Sequence, residues 1–444
     1  MDYKEAINYL SNYTNYEREM RYPYDGWAMN LTRVRALLTE VGDPDKKLRV
    51  VHVAGTKGKG STAAMIEAIG RAAGMKTGLF TSPHLLDFRE RIRLSGKWVP
   101  EEAVAKWVEK LAPAAEAVHE RKELGTVTYF EILTALALAV FADHEVELTV
   151  LEAGLGGRYD ATTACEPEVS VITHISLDHT DILGETLTEI ATEKSMIIKP
   201  GKPAVIAPQR DEAMAVLEKR AKETGSELIK VEENYTWQRM YEDIEGQMLS
   251  FSGGREVGEV LLPLLGDPQA TNAATAIAVC DVLAKKGLSV SDDHIREGLS
   301  SVKWPARFER VRKGPDVILD GAHNAESAAH LRQTLSRLYP ERKVTAVLGL
   351  GGDKDVEGFC RELGPALVKV IITRSTAMKA VASERIREAL SDLPIEVTET
   401  GSVKEAIEAA LVCTEASDVV LVTGSFYVIS EAMELGYSGT GHSS

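Results

Sequence analysis

The stretch that most restricts the fold of this chain is the run Arg49–Ala54 together with the loop after it, Gly55-Thr56-Lys57-Gly58-Lys59-Gly60-Ser61. The first six residues are mostly β-branched or small and predict a buried strand. Beyond Ser61, Met65, Ile66, Ile69 and Ala73 recur at helical spacing, and Gly74 suits the helix end. Glycines between a strand and a helix let backbone N–H groups face an anion, and the helix N-terminus adds partial positive charge. Thr56, Lys57, Gly58, Lys59, Gly60, Ser61 and Thr62 are therefore candidate nucleotide contacts, with Lys59 reaching the terminal phosphates and the hydroxyl of Ser61 or Thr62 holding phosphate or magnesium. The generic loop G-x-x-x-x-G-K-[ST] is broken here, because position 53 is Val and Gly60 stands between Lys59 and Ser61. The competing reading is a glycine-rich turn with no ligand.

The same alternation continues along the chain. Strands are predicted near Lys76–Phe80, Leu148–Glu152, Val169–His174 and Ala204–Ala207, with helices between them. This predicts an α/β fold, a doubly wound and mainly parallel sheet. Near Glu232–Leu262 the residues turn polar, aromatic and glycine-bearing, which predicts a small antiparallel excursion, followed by a helix from Thr271 through Leu283. A second series starts near Asp316, with strands at 317–319, 344–348, 368–373 and 419–423 and helices at Ser327–Leu338 and Ser402–Cys413. It predicts a smaller, Rossmann-like C-terminal α/β domain, with a boundary near Ser300–Pro305 and domains of 1–300 and 301–444. The tail Gly436–Ser444 is expected to fray.

At 444 residues the chain can bury a large core without disulfides. The net charge of −16 argues against a general nucleic-acid binder. Cys165, Cys280, Cys360 and Cys413 lie far apart, so no zinc site is expected, and each is read as a small core residue. The polar N-terminus and the short apolar run Ile132–Ala142 predict no signal peptide and no membrane span, so a cytoplasmic protein is expected.

Several further segments fall at predicted strand ends, where ligands bind in doubly wound sheets. Thr81-Ser82-Pro83-His84 follows the second strand, with Arg89-Glu90-Arg91-Ile92 beyond it. Glu152 ends another strand and runs into Gly154-Leu155-Gly156-Gly157-Arg158-Tyr159-Asp160-Ala161-Thr162. Asp178-His179-Thr180 follows a third strand. Thr186 to Glu189 is a capping box whose helix carries Glu193-Lys194, and Lys194 alone reads as a solvated helix lysine. Thr128-Tyr129-Phe130-Glu131 opens a helix, with core packing as the plain reading of its aromatics. Later come Gly266-Asp267-Pro268-Gln269, Asn272, Trp304-Pro305-Ala306-Arg307, Asp320-Gly321-Ala322-His323-Asn324, Asp353-Lys354-Asp355 and Thr423-Gly424-Ser425-Phe426.

Taken together, these segments resemble the folylpolyglutamate synthase/dihydrofolate synthase family of the Mur-ligase superfamily over almost the whole chain. The resemblance implies a ligase that adds L-glutamate to folate or dihydropteroate through an acyl phosphate, with ATP as co-substrate and two Mg²⁺ ions. It implies Ser82, Glu152 and His179 as magnesium ligands, and Lys194 as a fourth if carbamylated. Lys59, Lys194 and His179 would be catalytic. Asn272, Arg307, Asp320 and His323 would join the loop on the nucleotide, and Thr128, Tyr129, Phe130, Glu131, Tyr159, Asp160 and Ala161 would line the pterin-carboxylate pocket. Because these residues fall on both sides of the expected boundary, domain closure over the substrates is expected. A monomer without nucleic-acid or membrane partners is also expected.

The chain departs from the family's pattern at Thr163, Ser195-Met196, Pro268 and Ala306, where Asn, Ala-Gly, His and Gly are usual; at Lys57 the family often carries Asn, although Lys also occurs there. Two alternatives stay open: a ligase of the superfamily acting on another carboxylate, and a nucleotide-binding regulatory ATPase.

Overall fold

The computed structural model describes residues 1–18, 24–26, 28–352, 354–376 and 380–439. Asp353 and the end of the tail, residues 440–444, lie outside the described residues. The chain forms two compact units. The first comprises Met1–Gln238, Leu249–Leu261 and Thr271–Val302, and the second Arg239–Met248, Leu262–Ala270 and the chain from Lys303 on.

The first unit is built on eight strands: β1 (Val50–Ala54), β2 (Thr77–Phe80), β3 (Ile92–Leu94), β4 (Lys97–Trp98), β5 (Leu148–Glu152), β6 (Val169–Ile172), β7 (Ala204–Ile206) and β8 (Leu228–Lys230). Their order is β4-β3-β2-β5-β1-β6-β7-β8. All neighbours run parallel except the β2–β3 and β3–β4 pairs at one edge. From β1 the chain winds one way, to β2 and β5; from the adjacent β6 it winds the other way, to β7 and β8. Neighbouring strands whose connections diverge leave a crevice at their carboxyl ends.

The central strands are buried on every residue. Two clusters line the face that carries Val50, His52 and Ala54. Leu37, Phe80, Ile132, Leu136 and Phe141 pack in one cluster, and Ile172, Ile190, Ile198 and Leu217 in another. The helix Tyr129–Asp143 is apolar nearly all round because it is buried nearly all round. No described helix is long and apolar enough to cross a membrane.

The excursion is a three-stranded sheet of β9 (Tyr235–Asp243), β10 (Gly246–Gly253) and β11 (Gly258–Leu262), in the order β11-β10-β9. Paired strands joined by a two-residue turn must run antiparallel, as β9 and β10 do.

In the second unit, β12 (Glu309–Arg312), β13 (Asp316–Asp320), β14 (Val344–Leu348), β15 (Lys369–Ile372), β16 (Glu396–Glu399) and β17 (Val419–Thr423) lie in the order β12-β13-β17-β14-β15-β16. Only β12 is antiparallel. Its core gathers Ile318, Leu331, Phe359, Ile372 and Leu421. Cys165, Cys280 and Cys360 are buried as expected, but Cys413 is exposed at the last turn of its helix, a correction to its reading as a core residue.

Candidate active site

The phosphate loop is held by the neighbouring strand end as well as by its own glycines. The N–H groups of Thr56 and Lys57 both donate to His174 O, at 2.9 and 3.0 Å, just beyond β6. The Thr56 hydroxyl donates to Ser176 O at 3.1 Å. Gly58 turns the chain at φ +86 and begins the helix Lys59–Ala72. A Cβ at Gly58 would sit 2.4 Å from Asn272 Oδ1, so only glycine fits that turn. The first helical hydrogen bond runs from Thr62 N–H to Gly58 O, so the N–H groups of Lys59, Gly60 and Ser61 precede the helical ladder. The Thr62 hydroxyl is fully buried with no hydrogen-bond partner among the described residues.

The ends of β2, β5 and β6 bring polar and charged groups to this loop. Glu152 closes β5 and lies in register with Val53 of β1. Its carboxylate is buried, 3.9 Å from Lys59 Nζ, and accepts the Ser82 N–H at 3.4 Å beyond β2. Lys57 Nζ donates to Asp178 at 2.8 Å, and the other Asp178 oxygen accepts the His179 N–H at 3.1 Å. His179 itself begins the helix Thr180–Leu183 in a left-handed conformation, φ +51. Among the described residues no three His, Cys, Asp or Glu side chains gather as a metal cluster. The oxygens of Glu152, Ser82 and the unpartnered Thr62 hydroxyl are nevertheless the hard donors that Mg²⁺ takes alongside nucleotide phosphates and water.

Lys194 is not a solvated lysine. Its capped helix, Leu187–Ser195, buries the side chain and delivers Nζ to Gly55 O at 2.9 Å. Burial, and next the Lys59 cation, push this amine down from its ordinary value to about 7.

The residues expected at the pterin pocket divide in two. Thr128 caps the helix Tyr129–Asp143 in a capping box with Glu131. The Glu131 carboxylate is gripped by Arg33 at 2.7 and 2.8 Å, and the same guanidinium also donates to Ala28 O and Leu124 O. These two side chains fix the helix entry. Tyr129 is buried, with the Arg91 guanidinium 5.9 Å from its ring centre. Phe130 lies 5.7 Å from Phe80, centre to centre, and against Gly154, so it shares a wall with the loop after β5. On that loop the ring of Tyr159 packs edge-on against Tyr24 at 5.4 Å. Asp160 is buried and accepts the N–H groups of Leu155 and Thr162, each at 3.0 Å. Burial pushes its carboxyl up, opposed by these hydrogen bonds. Ala161 opens the turn beyond it. Thr163 ties its hydroxyl to Gly157 O at 2.6 Å.

Sequence reasoning assigned no role to Arg33, which meets Glu131 across 98 positions; nothing local signals such a pairing. Nor does the sequence signal the contact between His84 and Arg91. Arg91 Nε donates to His84 Nδ1 at 2.7 Å and its two terminal nitrogens grip Glu17 at 2.7 and 2.8 Å. Burial, then Arg91, pushes His84 down to about 4, so its imidazole is neutral.

In the second unit the expected nucleotide residues cluster after β13. Asp320 accepts the N–H groups of Phe308 and Ala322, each at 2.9 Å, and desolvation pushes its carboxyl up. His323 Nδ1 lies 2.8 Å from Gly321 O and therefore carries the proton. Asn324 caps the helix Ala325–Leu338. The Arg307 guanidinium stacks 5.0 Å above the Phe426 ring.

The profile of the Mur ligase middle domain matches residues 53–280, and that of the Mur ligase, glutamate ligase domain matches residues 306–426. A Bacillus subtilis dihydrofolate synthase/folylpolyglutamate synthase is 34% identical over 90% of this chain and 93% of its own. The chain belongs to the dihydrofolate synthase/folylpolyglutamate synthase family. Solved members of the family share its architecture. A Mycobacterium tuberculosis folylpolyglutamate synthase complexed with ADP superposes with a TM-score of 0.87 at 32% identity, covering 98% of this chain and 99% of that one. The Escherichia coli protein in complex with DHPP and ADP gives 0.84 at 32% identity, covering 98% and 97%.

Proposed function

We propose that this family member joins L-glutamate to the carboxyl group of dihydropteroate or a reduced folate, using ATP. The observation that carries the proposal is the meeting of Lys59, Glu152 and Ser82 at three neighbouring strand ends beside a helix N-terminus. A substrate carboxylate oxygen attacks the γ-phosphorus, the bond to ADP breaks, and an acyl phosphate forms. The glutamate amine then attacks the acyl carbon, losing a proton as the amide forms and phosphate departs. No protein nucleophile is needed; the chain positions the reactants and offsets their charge. Lys59 and the N–H groups of Lys59, Gly60 and Ser61 face the phosphates. Mg²⁺, held through Glu152, Ser82 and the Thr62 hydroxyl, would supply further charge neutralisation when bound. His179 follows Asp178, the partner of Lys57 in the loop, and Lys194 braces the loop at Gly55. A lysine with a pKa near 7 is partly neutral at physiological pH, the form that takes up CO₂ as a carbamate. We assign Phe130, Tyr159 and Ala161 to the acceptor's ring, and expect a cytoplasmic monomer.

The test is phosphate release from purified protein with ATP, Mg²⁺, L-glutamate and either dihydropteroate or tetrahydrofolate. Release should need every component, and product mass should show one added glutamate. No glutamate-dependent turnover with any pterin sinks the folate assignment, and a panel of other carboxylates then finds the acceptor.

A further inference from the structure

His52 lies on β1, three residues before the phosphate loop, and its side chain is fully buried. Nothing in the proposed reaction uses it. Its Nε2 is 2.7 Å from Thr162 Oγ1, and that hydroxyl is 2.5 Å from Asp160 Oδ1. Asp160 already accepts two backbone N–H groups from its own loop. His52 Nδ1 has no hydrogen-bond partner among the described residues. A continuous buried chain thus runs from the strand beneath the phosphate loop to the loop carrying Tyr159 and Ala161.

The direction of this chain follows from counting protons. The Thr162 hydroxyl has one. With the imidazole proton on Nε2, His52 donates to Thr162, and Thr162 donates to Asp160. With the proton on Nδ1, Thr162 must donate to His52, two acceptor oxygens then face each other at 2.5 Å, and a buried N–H is orphaned at Nδ1. Buried orphan N–H groups are rarer than under-used acceptors, so the first arrangement wins. Protonating Asp160 does not rescue the second arrangement, because the Nδ1 proton stays orphaned. Burial also holds His52 neutral, pushing its pKa down to about 3.

We propose that His52 is a positioning residue for the acceptor substrate: its Nε2–H fixes the Thr162 hydroxyl, which fixes Asp160 and so the shape of the 154–161 loop. The proposal rests on the assignment of that loop to the acceptor's ring. It separates two functions that meet at β1, since the phosphate loop makes none of these contacts.

The test has two arms, both on the full chain. In the first, ¹⁵N-histidine NMR reads the tautomer of His52, assigned by its loss in His52→Gln. The proton is expected on Nε2; a proton on Nδ1 overturns the proposal whatever the substrate. In the second, His52→Gln, which keeps a donor near Nε2, is compared with His52→Leu, and Thr162→Ser with Thr162→Val. The Leu and Val variants should raise KM for the pterin acceptor by about tenfold. The Gln and Ser variants should stay close to native, and KM for ATP should not move. Equal changes in both KM values, or no difference between Gln and Leu, overturn the proposal. If no pterin is turned over by the native chain, the substrate reading falls while the tautomer still decides the hydrogen-bond chain.

Discussion

The parallel sheets of the two units finish their strands differently. At the carboxyl ends of β1, β5 and β6, lysines and carboxylates face one another: Lys59 stands 3.9 Å from Glu152, and Lys57 pairs with Asp178 at 2.8 Å. At the end of β13 the polar groups are tied to nearby backbone. Asp320 takes two N–H groups, His323 bonds Gly321 O, and Asn324 caps its helix. The first arrangement has cations that an incoming anion can recruit. The second holds its loops in place and presents Arg307 stacked on Phe426. The difference lies between strand ends shaped for charge that arrives and strand ends shaped for themselves.

The largest effect should come from the first kind. Lys59 is four-fifths buried, and its ion pair at 3.9 Å is long, so it contributes little to the fold. Lys59→Ala should lower turnover on the order of a thousandfold, as removing one preorganised transition-state contact does, with an unchanged urea midpoint. Retained activity would show that the loop N–H groups suffice, and the contrast between the sheets would lose its main support.

Next in size is an acid response from beneath the same strand ends. His52 is neutral in the folded chain, with its pKa pushed from 6.5 to about 3 by burial and by the Lys199 cation. The unfolded imidazole binds its proton near pH 6.5, so the unfolded state holds more protons between pH 6.5 and 3. Stability is therefore complete above 6.5 and is lost as the pH falls toward 3. By pH 4 the loss from this one group is about 3 kcal/mol. His52→Gln has no such proton to take up, so urea unfolding at pH 7 and pH 4 should show the variant losing less stability than the native chain. Equal losses would place the acid sensitivity elsewhere.

Much of this was legible in the sequence, for a physical reason. Alternation of β-branched runs with helical spacing located β1, β5, β14 and β17 to within a residue, because buried parallel strands must be continuously apolar. The short, partly exposed strands β3, β4 and β16, at or beside the sheet edges, carry no such run. At the site, motifs at strand ends pointed to Lys59, Glu152 and Ser82, since topology alone brings strand ends together. Burial was not legible: Lys194 follows an ordinary glutamate on an ordinary helix, and only packing makes it an interior amine. Nor were pairings across long separations, such as Arg33 with Glu131 or His52 with Thr162.

The finest contrast lies in two left-handed residues, Gly58 at φ +86 and Ala306 at φ +57. Position 306 carries alanine rather than glycine, and the terms involved explain how this is tolerated. A left-handed alanine costs about 1–2 kcal/mol. Against this, alanine lowers the entropy of the unfolded chain, worth about 0.4–1 kcal/mol. The Ala306 methyl is also fully buried, worth about 0.8 kcal/mol. These terms nearly cancel, so Ala306→Gly should shift stability by less than about 0.5 kcal/mol. At Gly58 the terms do not cancel: the added Cβ meets Asn272 Oδ1 at 2.4 Å and has no room to be buried. Gly58→Ala should therefore cost about 2 kcal/mol or more and raise KM for ATP as the helix entry shifts. Urea midpoints of the two variants, measured side by side, check both. A stabilisation well above about 0.5 kcal/mol from Ala306→Gly would mean that the buried methyl contributes little there and that strain alone sets the stability at that position.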